Sequence, residues 1–555
     1  MRMLTERVVD LGGRITDDDL GAAAEICRRL DGIPLALELA AAQRTAPMGR
    51  VLDRLDARPA DLARRRFRGR SAHRSVVAAV EWSLQLLDDD TRRSFERLAV
   101  VNGPFDQALA QAVVGDDRRP VGDLLDELVA ASLLVADPTA ADTLYRILRP
   151  VRSVALDRLG QDDDAVRVES RIADHVVGHR RVLLSSESDW AAQLPRLLDG
   201  YDAMIAAQRW MLEHDDEPDR SLVLLAVFWA VVQQLHRAEV AEVGEHVLER
   251  WPDPTTPFWV DAAATVATCY QLLGRLDEAA ALATSALEHA DGSTFAPVTL
   301  RRALAQASRR MGRPEEARRW FAEGASLADE NVPGLAMVLC VDEAIMLAEL
   351  GDTDHAARLL DEIADEASRT GATVNRAWAR CGRATVAWHA ADPTAAERAR
   401  AAIAESRSIG YAAGELYSLR LLGAVLLDDG GFAAAASAVL ELQDGLLERR
   451  AALDARAVLD HAARLLELHG DDDWVDLAAT ASRLDTTSTL TARDAADIIE
   501  RGSLAGLDLG VRDALRLCRE RLTALASATG APTAEAAAAP PADGPTLRCE
   551  GDVWR

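Results

Sequence analysis

Leu272-Leu-Gly-Arg-Leu-Asp-Glu-Ala-Ala280, Met311-Gly-Arg-Pro-Glu-Glu-Ala317 and Leu350-Gly-Asp-Thr-Asp-His-Ala-Ala357 decide the fold. Each places an alanine about five positions after a turn glycine, here Gly274, Gly312 and Gly351, and Asp429-Gly-Gly-Phe-Ala-Ala-Ala435 repeats the pattern at Gly430. The copies lie about 39 residues apart, or twice that. Weaker copies stand at His236-Arg-Ala-Glu-Val-Ala241 and His389-Ala-Ala-Asp-Pro-Thr-Ala-Ala396. The pattern has a physical reason: glycine permits the positive φ that closes one helix, and alanine early in the next lets two helices approach without a clash. Units of this kind bury a core only by stacking on their neighbours. The expectation is an α-solenoid whose groove receives a peptide or a helix.

Working outward, the period places residues 165–527 among tetratricopeptide-like arrays. The Ala/Pro stretch Pro532-Thr-Ala-Glu-Ala-Ala-Ala-Ala-Pro-Pro-Ala-Asp-Gly-Pro545 reads as a linker, so 528–555 is expected to be a linker leading into a further domain. Composition agrees with an all-α chain. Aromatic residues are 4% and hydrophobic residues 49% of 555 positions, so Ala, Leu and Val dominate the apolar material. The six cysteines (Cys27, Cys269, Cys340, Cys381, Cys518 and Cys549) are widely spaced and read as helix-face thiols in a reducing compartment. Neither a signal peptide nor a membrane-spanning apolar run is evident, which predicts a cytoplasmic protein.

Charge narrows the function classes. The formal net charge is -27, and a phosphate backbone repels such a chain unless a basic face is segregated. One cluster runs the other way: Arg64, Arg65, Arg66, Arg68, Arg70 and Arg74 read as a solvated linker, with an anion or partner contact as the alternative. No lysine occurs anywhere, so every basic residue is Arg. A phosphate-cradling loop needs a Lys after its glycines, and autonomous P-loop hydrolysis of ATP or GTP is therefore not expected.

Ahead of the array stand two further patterns. Asp17 to Asp19 can cap a short helix that Asp31-Gly32 ends, and Pro34 fits the first turn of the next. From Ser71 to about Leu159 come three or four helices and a short β-like piece. Val80, Leu84 and Leu87 share one face, Arg93 to Val101 forms another helix, Asp123 to Leu134 a third, and Thr143 to Leu148 alternates as a wing strand. This is the order of a winged helix, over 71–160.

The stretch Cys27-Arg-Arg-Leu-Asp-Gly-Ile-Pro-Leu-Ala-Leu-Glu-Leu-Ala-Ala-Ala42 resembles the Gly-Leu-Pro-Leu-Ala signature in the NB-ARC region of STAND-class signalling ATPases. Residues 1–66 are then the remnant helical domain of such an ATPase. Trp82-Ser83 through Leu86-Leu87, followed by the helix at Arg92 to Val100, resembles the winged-helix segment of large bacterial SARP-type and LuxR-type regulators. The resemblance implies that Gly32 and Pro34 sit against the base of a bound nucleotide. ATP or ADP would enter only with an upstream core domain, which holds the phosphate loop. The same two residues also read as a helix end and a helix start. Relatives carry an acid near the end of the winged helix to sense phosphate, whereas Arg149 stands there in this chain.

No catalytic constellation and no metal cluster is read from the sequence. His73, His289 and His355 are isolated, and Asp88-Asp-Asp90 and Asp471-Asp-Asp473 read as helix-start or loop acids. Trp82, Trp210, Trp229 and Trp320 read as core anchors. The helix from Val121 carries Asp123, Asp126 and Glu127 and no Arg, the wrong sign for DNA. The expectation is a regulatory signal-transduction protein, not an enzyme, whose repeats hold a protein or peptide while the winged helix relays the state. The alternative is a DNA-binding transcriptional regulator that uses the winged helix directly.

Overall fold

Val80 and Leu84, four residues apart on one helical face, are both fully buried. The structure is a computed structural model. It describes residues 87–115, 119–138, 143–159, 163–183, 197–215, 218–235, 239–290, 295–449, 455–469 and 509–527, with isolated positions between Leu4 and Leu84, Asp471, Leu477, 549–550 and 553–554. Gly32, Pro34, Trp82 and the Arg64 to Arg74 cluster lie outside the described residues. The fold is all-α, a winged helix and a helical-repeat solenoid. Among the described residues the sheet is confined to two two-stranded pieces, and no helix is long and apolar enough to cross a membrane. The chain divides into two compact units, Met1–His179 with Arg196–His214, and Arg180–Pro195 with Asp215–Arg555.

In the first unit, helices α1 (Asp89–Leu98), α2 (Gln107–Val114) and α3 (Val121–Ala130) precede strands β1 (Val135–Pro138) and β2 (Thr143–Arg146). Helices α4 (Arg149–Leu159), most of α5 (Asp163–Leu183) and α6 (Tyr201–His214) complete it. Asp88 caps α1 by accepting Thr91 N–H at 2.8 Å, the role expected of a helix-start acid. The helix read as Arg93 to Val101 stops at Leu98, and Leu87 sits half-buried at a bend. The helix read as Asp123 to Leu134 stops at Ala130. Ser132 turns the chain at φ +57°, and Leu133 N–H bonds back to Leu128 O, so Leu133 and Leu134 enter the core instead of extending the helix. The wing pairs Val135 with Arg146 through Pro138 with Thr143. Phe105 bridges to Tyr145 on the outer edge of β2 and stacks on its ring at 6.1 Å.

Arginines tie these helices end to face. The Arg152 guanidinium donates to Ala99 O at 2.8 Å and Val100 O at 3.2 Å, and Arg158 pairs with Glu96 at 2.8 Å, so α4 is fixed on the C-terminal end of α1. Arg97 and Arg171 likewise donate to Val114 O and Val113 O at the end of α2. A cation at a helix C-terminus meets unsatisfied carbonyls and the negative end of the dipole.

The second unit is the array. Helices α7 (Pro218–Leu235), α9 (Trp259–Leu272), α11 (Ala296–Arg310), α13 (Pro333–Glu349), α15 (Thr373–His389) and α17 (Ala412–Asp428) form the first, or A, series. Helices α8 (Glu239–Arg250), α10 (Leu276–Leu287), α12 (Pro314–Asn331), α14 (Thr353–Thr370), α16 (Ala395–Ser408) and α18 (Phe432–Arg449) form the B series. Helices α19 (Ala455–His469) and α20 (Leu509–Ser527) pack on α18, where Gln443 donates to Leu515 O at 2.9 Å. Beyond them β3 (Cys549–Glu550) pairs with β4 (Val553–Trp554), so Cys549 lies on a strand and not on the helix face read for it. Cys269, Cys381 and Cys518 are buried helix thiols, and Cys340 is half-buried.

Gly274, Gly312, Gly351 and Gly430 adopt φ of +80°, +71°, +91° and +74°. Each donates its N–H to a carbonyl three residues back, and the next residue reaches five back, as in Gly351 N to Ala348 O at 3.0 Å and Asp352 N to Leu347 O at 2.9 Å. This bonding closes a helix on a left-handed residue. Ala391 makes the same turn at φ +52° without glycine's freedom. Ala279, Ala317, Ala356 and Ala435, five residues after their glycines, are fully buried between helices.

Candidate partner-binding surfaces

Two surfaces carry chemistry that could meet a partner, one in each unit. In the first, α2 and α3 form the helix-turn-helix, and α3 stands in the place of the helix that enters the major groove in DNA-binding winged helices. Val121, Leu124, Leu125 and Leu128 bury one face of α3. On the other face Asp123 and Asp126 are exposed and Glu127 is half-buried. Arg119 meets Glu127 at 2.7 Å and donates to Asp123 O at 2.8 Å, which removes it as a free phosphate ligand. The wing adds exposed Arg146 and exposed Asp137. Burial pushes the Asp199 carboxyl above the usual range, and the charge of Asp137 adds to the rise. Among these residues acidic side chains outnumber basic ones.

In the array, the repeat period builds the second surface. Residues about 40 apart occupy equivalent places on successive A helices and meet directly: Arg302 with Asp342 at 2.7 Å, Arg309 with Glu349 at 2.6 Å, and Trp388 Nε1 with Asp428 Oδ2 at 2.8 Å. Asp342 has 1% of its side chain exposed and is held by two donors, Arg302 Nε and, at 3.1 Å, Trp378 Nε1. Its burial is therefore compensated. Arg302 also donates through Nη1 to Gln233 Oε1 at 2.8 Å. Trp378 meets the edge of Tyr417 at 5.0 Å, and the Tyr417 hydroxyl bonds Thr385 at 2.9 Å. Burial pushes the Tyr411 hydroxyl above the phenol range, with Arg302 and Asp342 close enough to act on it. These side chains come from α7, α11, α13, α15 and α17.

The A helices close on themselves. Each packs on the next A helix, and α7 also packs on α17. Gln234 Oε1 of α7 accepts the N–H of Ala413, in the first turn of α17, at 3.4 Å across 179 residues. Thiols in this wall are inert: burial pushes Cys381 up to about 11, and Ser418 donates to its sulfur at 3.1 Å.

The turn glycines lie at helix ends and do not line this wall; they set the spacing that aligns it. Apart from Cys381, read as a helix-face thiol, none of the wall residues was singled out from the sequence. A signal was present in the 40-residue spacing of Arg302 with Asp342 and of Arg309 with Glu349. Gly371 and Gly410, at φ +74° and +69°, form a second set of turns that end B helices and were not read from the sequence. Trp210, Trp229 and Trp320 are half-buried; Trp229 meets Phe295 edge-on at 4.9 Å against a core cluster of the array. Among the described residues no group of three or more His, Cys, Asp or Glu could hold a metal ion.

Comparison with known proteins places residues 87–159 in the winged helix-turn-helix domain family. A 211-residue stretch is 36% identical to proteins of Mycobacterium tuberculosis and Mycobacterium bovis that carry the name of an HTH-type transcriptional regulator; it covers 37% of this chain and 24% of theirs. The chain thus spans about a quarter of the length of these relatives. A stretch of 167 residues is 35% identical to an uncharacterized Mycobacterium tuberculosis protein, covering 29% of this chain and 42% of that one. Among solved structures, a STAND protein with a tetratricopeptide repeat sensor from Pyrococcus horikoshii overlays at TM-score 0.38 and 14% identity, over 90% of this chain and 69% of that one. A Rap protein complexed with competence and sporulation factor overlays at TM-score 0.42 and 12% identity, over 63% and 98%. Overlays at these scores do not by themselves define a common fold. The chain contains a winged helix-turn-helix domain and is homologous over part of its length to proteins named as transcriptional regulators.

Proposed function

We propose that this chain is a regulatory signal-transduction protein of the STAND and transcriptional-regulator type. Its helical repeats bind a protein or peptide, and its winged helix relays that state to a nucleotide-binding core in a longer protein. The observation that carries the reading is the face of α3: a winged helix whose third helix offers Asp123 and Asp126 to solvent is built to meet protein, not phosphate. The relatives' names support a role in transcription, and the motif at Trp82-Ser83 is the ground for placing the chain with SARP-type or LuxR-type regulators. The proposal includes action in the cytoplasm and no nucleotide hydrolysis by this chain alone, since it has no lysine for a phosphate loop.

A second reading, direct DNA binding, is favoured by the winged helix-turn-helix match and by Arg146 on the wing. Fluorescence anisotropy with a labelled random duplex at about 50 mM salt separates the two. The relay reading expects no binding at micromolar protein. Micromolar binding that weakens steeply with salt would establish the DNA reading in its place. Calorimetry with ATP and with ADP in magnesium buffer tests the nucleotide expectation: no heat is expected up to millimolar ligand.

A further inference from the structure

We propose that the acidic face of α3 is a docking surface for this chain's own arginine segment, residues 64–74. This rests on the reading that α3 meets protein and not phosphate, and it names what α3 meets. The segment reads Arg64-Arg-Arg-Phe-Arg-Gly-Arg-Ser-Ala-His-Arg74, and no acid stands between Asp61 and Glu81. A stretch this basic binds any polyanion unless something neutralises it. The relay gives it no other role.

The face of α3 has the carboxylates to neutralise it. Asp123 and Asp126, three residues apart on one side of the helix, are exposed and have no ion pair among the described residues. Beside them Asp89 and Asp90, in the first turn of α1, keep 71% and 78% of their side chains exposed while pairing only with Arg92 and Arg93 of their own helix. One guanidinium already lies on this surface. Arg119 meets Glu127 at 2.7 Å, donates to Asp123 O at 2.8 Å and reaches Thr91 Oγ at 3.3 Å. The middle of α3 and the first turn of α1 are therefore one arginine apart, and the surface between them takes a planar cation. Further arginines can pair with the remaining carboxylates in the same way.

The tether favours the chain's own segment over a second copy. Arg74 stands six positions before Val80, which is helical and buried in the same unit as α1 and α3. Six extended residues span about 20 Å, so the arginines stay close to the surface that would hold them. A short tether gives an effective concentration on the order of millimolar, which a separate copy at micromolar concentration does not match. Exposed ion pairs that are individually weak then suffice together.

The test is limited trypsin digestion of the full chain at about 50 mM salt, with mass spectrometry of cleavage after Arg64 to Arg74. Asp123→Asn/Asp126→Asn removes the face, and Asp277→Asn/Asp354→Asn removes two exposed first-turn acids of the array as a charge-matched control. The wild-type segment should be cut slowly, at least tenfold faster in the face variant, and unchanged in the control. In the wild type, raising salt to about 0.5 M should also release it, with the free peptide 62–76 correcting for the response of trypsin itself. Rapid cleavage in the wild type at low salt, equal rates in the two variants, or protection indifferent to salt would each overturn the proposal. Protection that rises with protein concentration would overturn it too, by assigning the segment to a second copy. No nucleic acid enters these measurements. Free cleavage in a chain that binds no duplex DNA sinks the docking alone, whereas duplex binding by a chain whose segment stays protected sinks the reading of α3 as a protein-facing helix.

Discussion

At the residue scale, the turn at Ala391 isolates what backbone conformation alone is worth. Gly351 and Ala391 make the same turn one repeat apart, and a Cβ added at Gly351 meets nothing within 4 Å, so packing does not enter. A non-glycine residue at positive φ costs about 1–2 kcal/mol, partly offset by glycine's greater freedom when unfolded. Gly351→Ala is expected to destabilise its turn by about 1 kcal/mol and Ala391→Gly to stabilise its turn by up to about 1 kcal/mol, read from amide exchange in the adjoining helices. Equal signs for the two would defeat the argument. Asp88 gives a pH test. The Thr91 N–H and hydroxyl hold its carboxyl below the ordinary value of 3.8. A carboxyl depressed by folding contributes its stability fully above 3.8 and loses it as pH falls through the lower folded value. Protection in the first turn of α1, corrected for intrinsic rates, should therefore decline only below about pH 4. Asp88→Ala should remove about 1 kcal/mol at neutral pH, a roughly fivefold faster exchange there, and abolish the pH dependence. For thiols, Cys269, Cys381 and Cys518 should resist maleimide in the native chain at pH 7.5, since burial raises all three and holds Cys518 at about 12.

At the element scale, the distance between an A helix and the B helix after it depends on one small side chain. Ala356 is fully buried near the start of α14. Ala356→Leu should cost about 1–3 kcal/mol by overpacking, seen as a lower thermal midpoint of the repeat transition, while a leucine at exposed Asp354 should be nearly neutral. The face of α3 makes a second element-level prediction. Asp123→Arg/Asp126→Arg should create measurable affinity for duplex DNA, with a log–log salt slope of about -0.9 for each phosphate contacted. Absence of any gain would show that charge on this helix does not by itself govern affinity for DNA.

At the scale of the whole molecule, the array has a charged centre whose stability lies in its pairing. Arg302→Ala leaves Asp342 buried with its cation gone and should cost about 3–5 kcal/mol in urea unfolding of the array; Arg302→Met/Asp342→Leu should cost much less, because no uncompensated charge remains. A cost for the double variant as large as for the single one would reject this account. By itself the sequence determined the all-α class, the winged helix and the repeat, because these are written in local terms: a glycine where φ must be positive, an alanine five residues on, apolar residues at helical spacing. Helix ends were less legible. Leu133 and Leu134 continue the apolar pattern of α3, yet they leave it to fill the core beside the wing. Only the tertiary structure decided that α7 meets α17, and that Gln233, Arg302, Asp342, Trp378 and Tyr411 share one interior. Each repeat adds a small rotation to the last, and no single segment encodes their sum. Contacts between helices five repeats apart follow from that accumulated curvature, which side-chain packing at every intervening joint sets together.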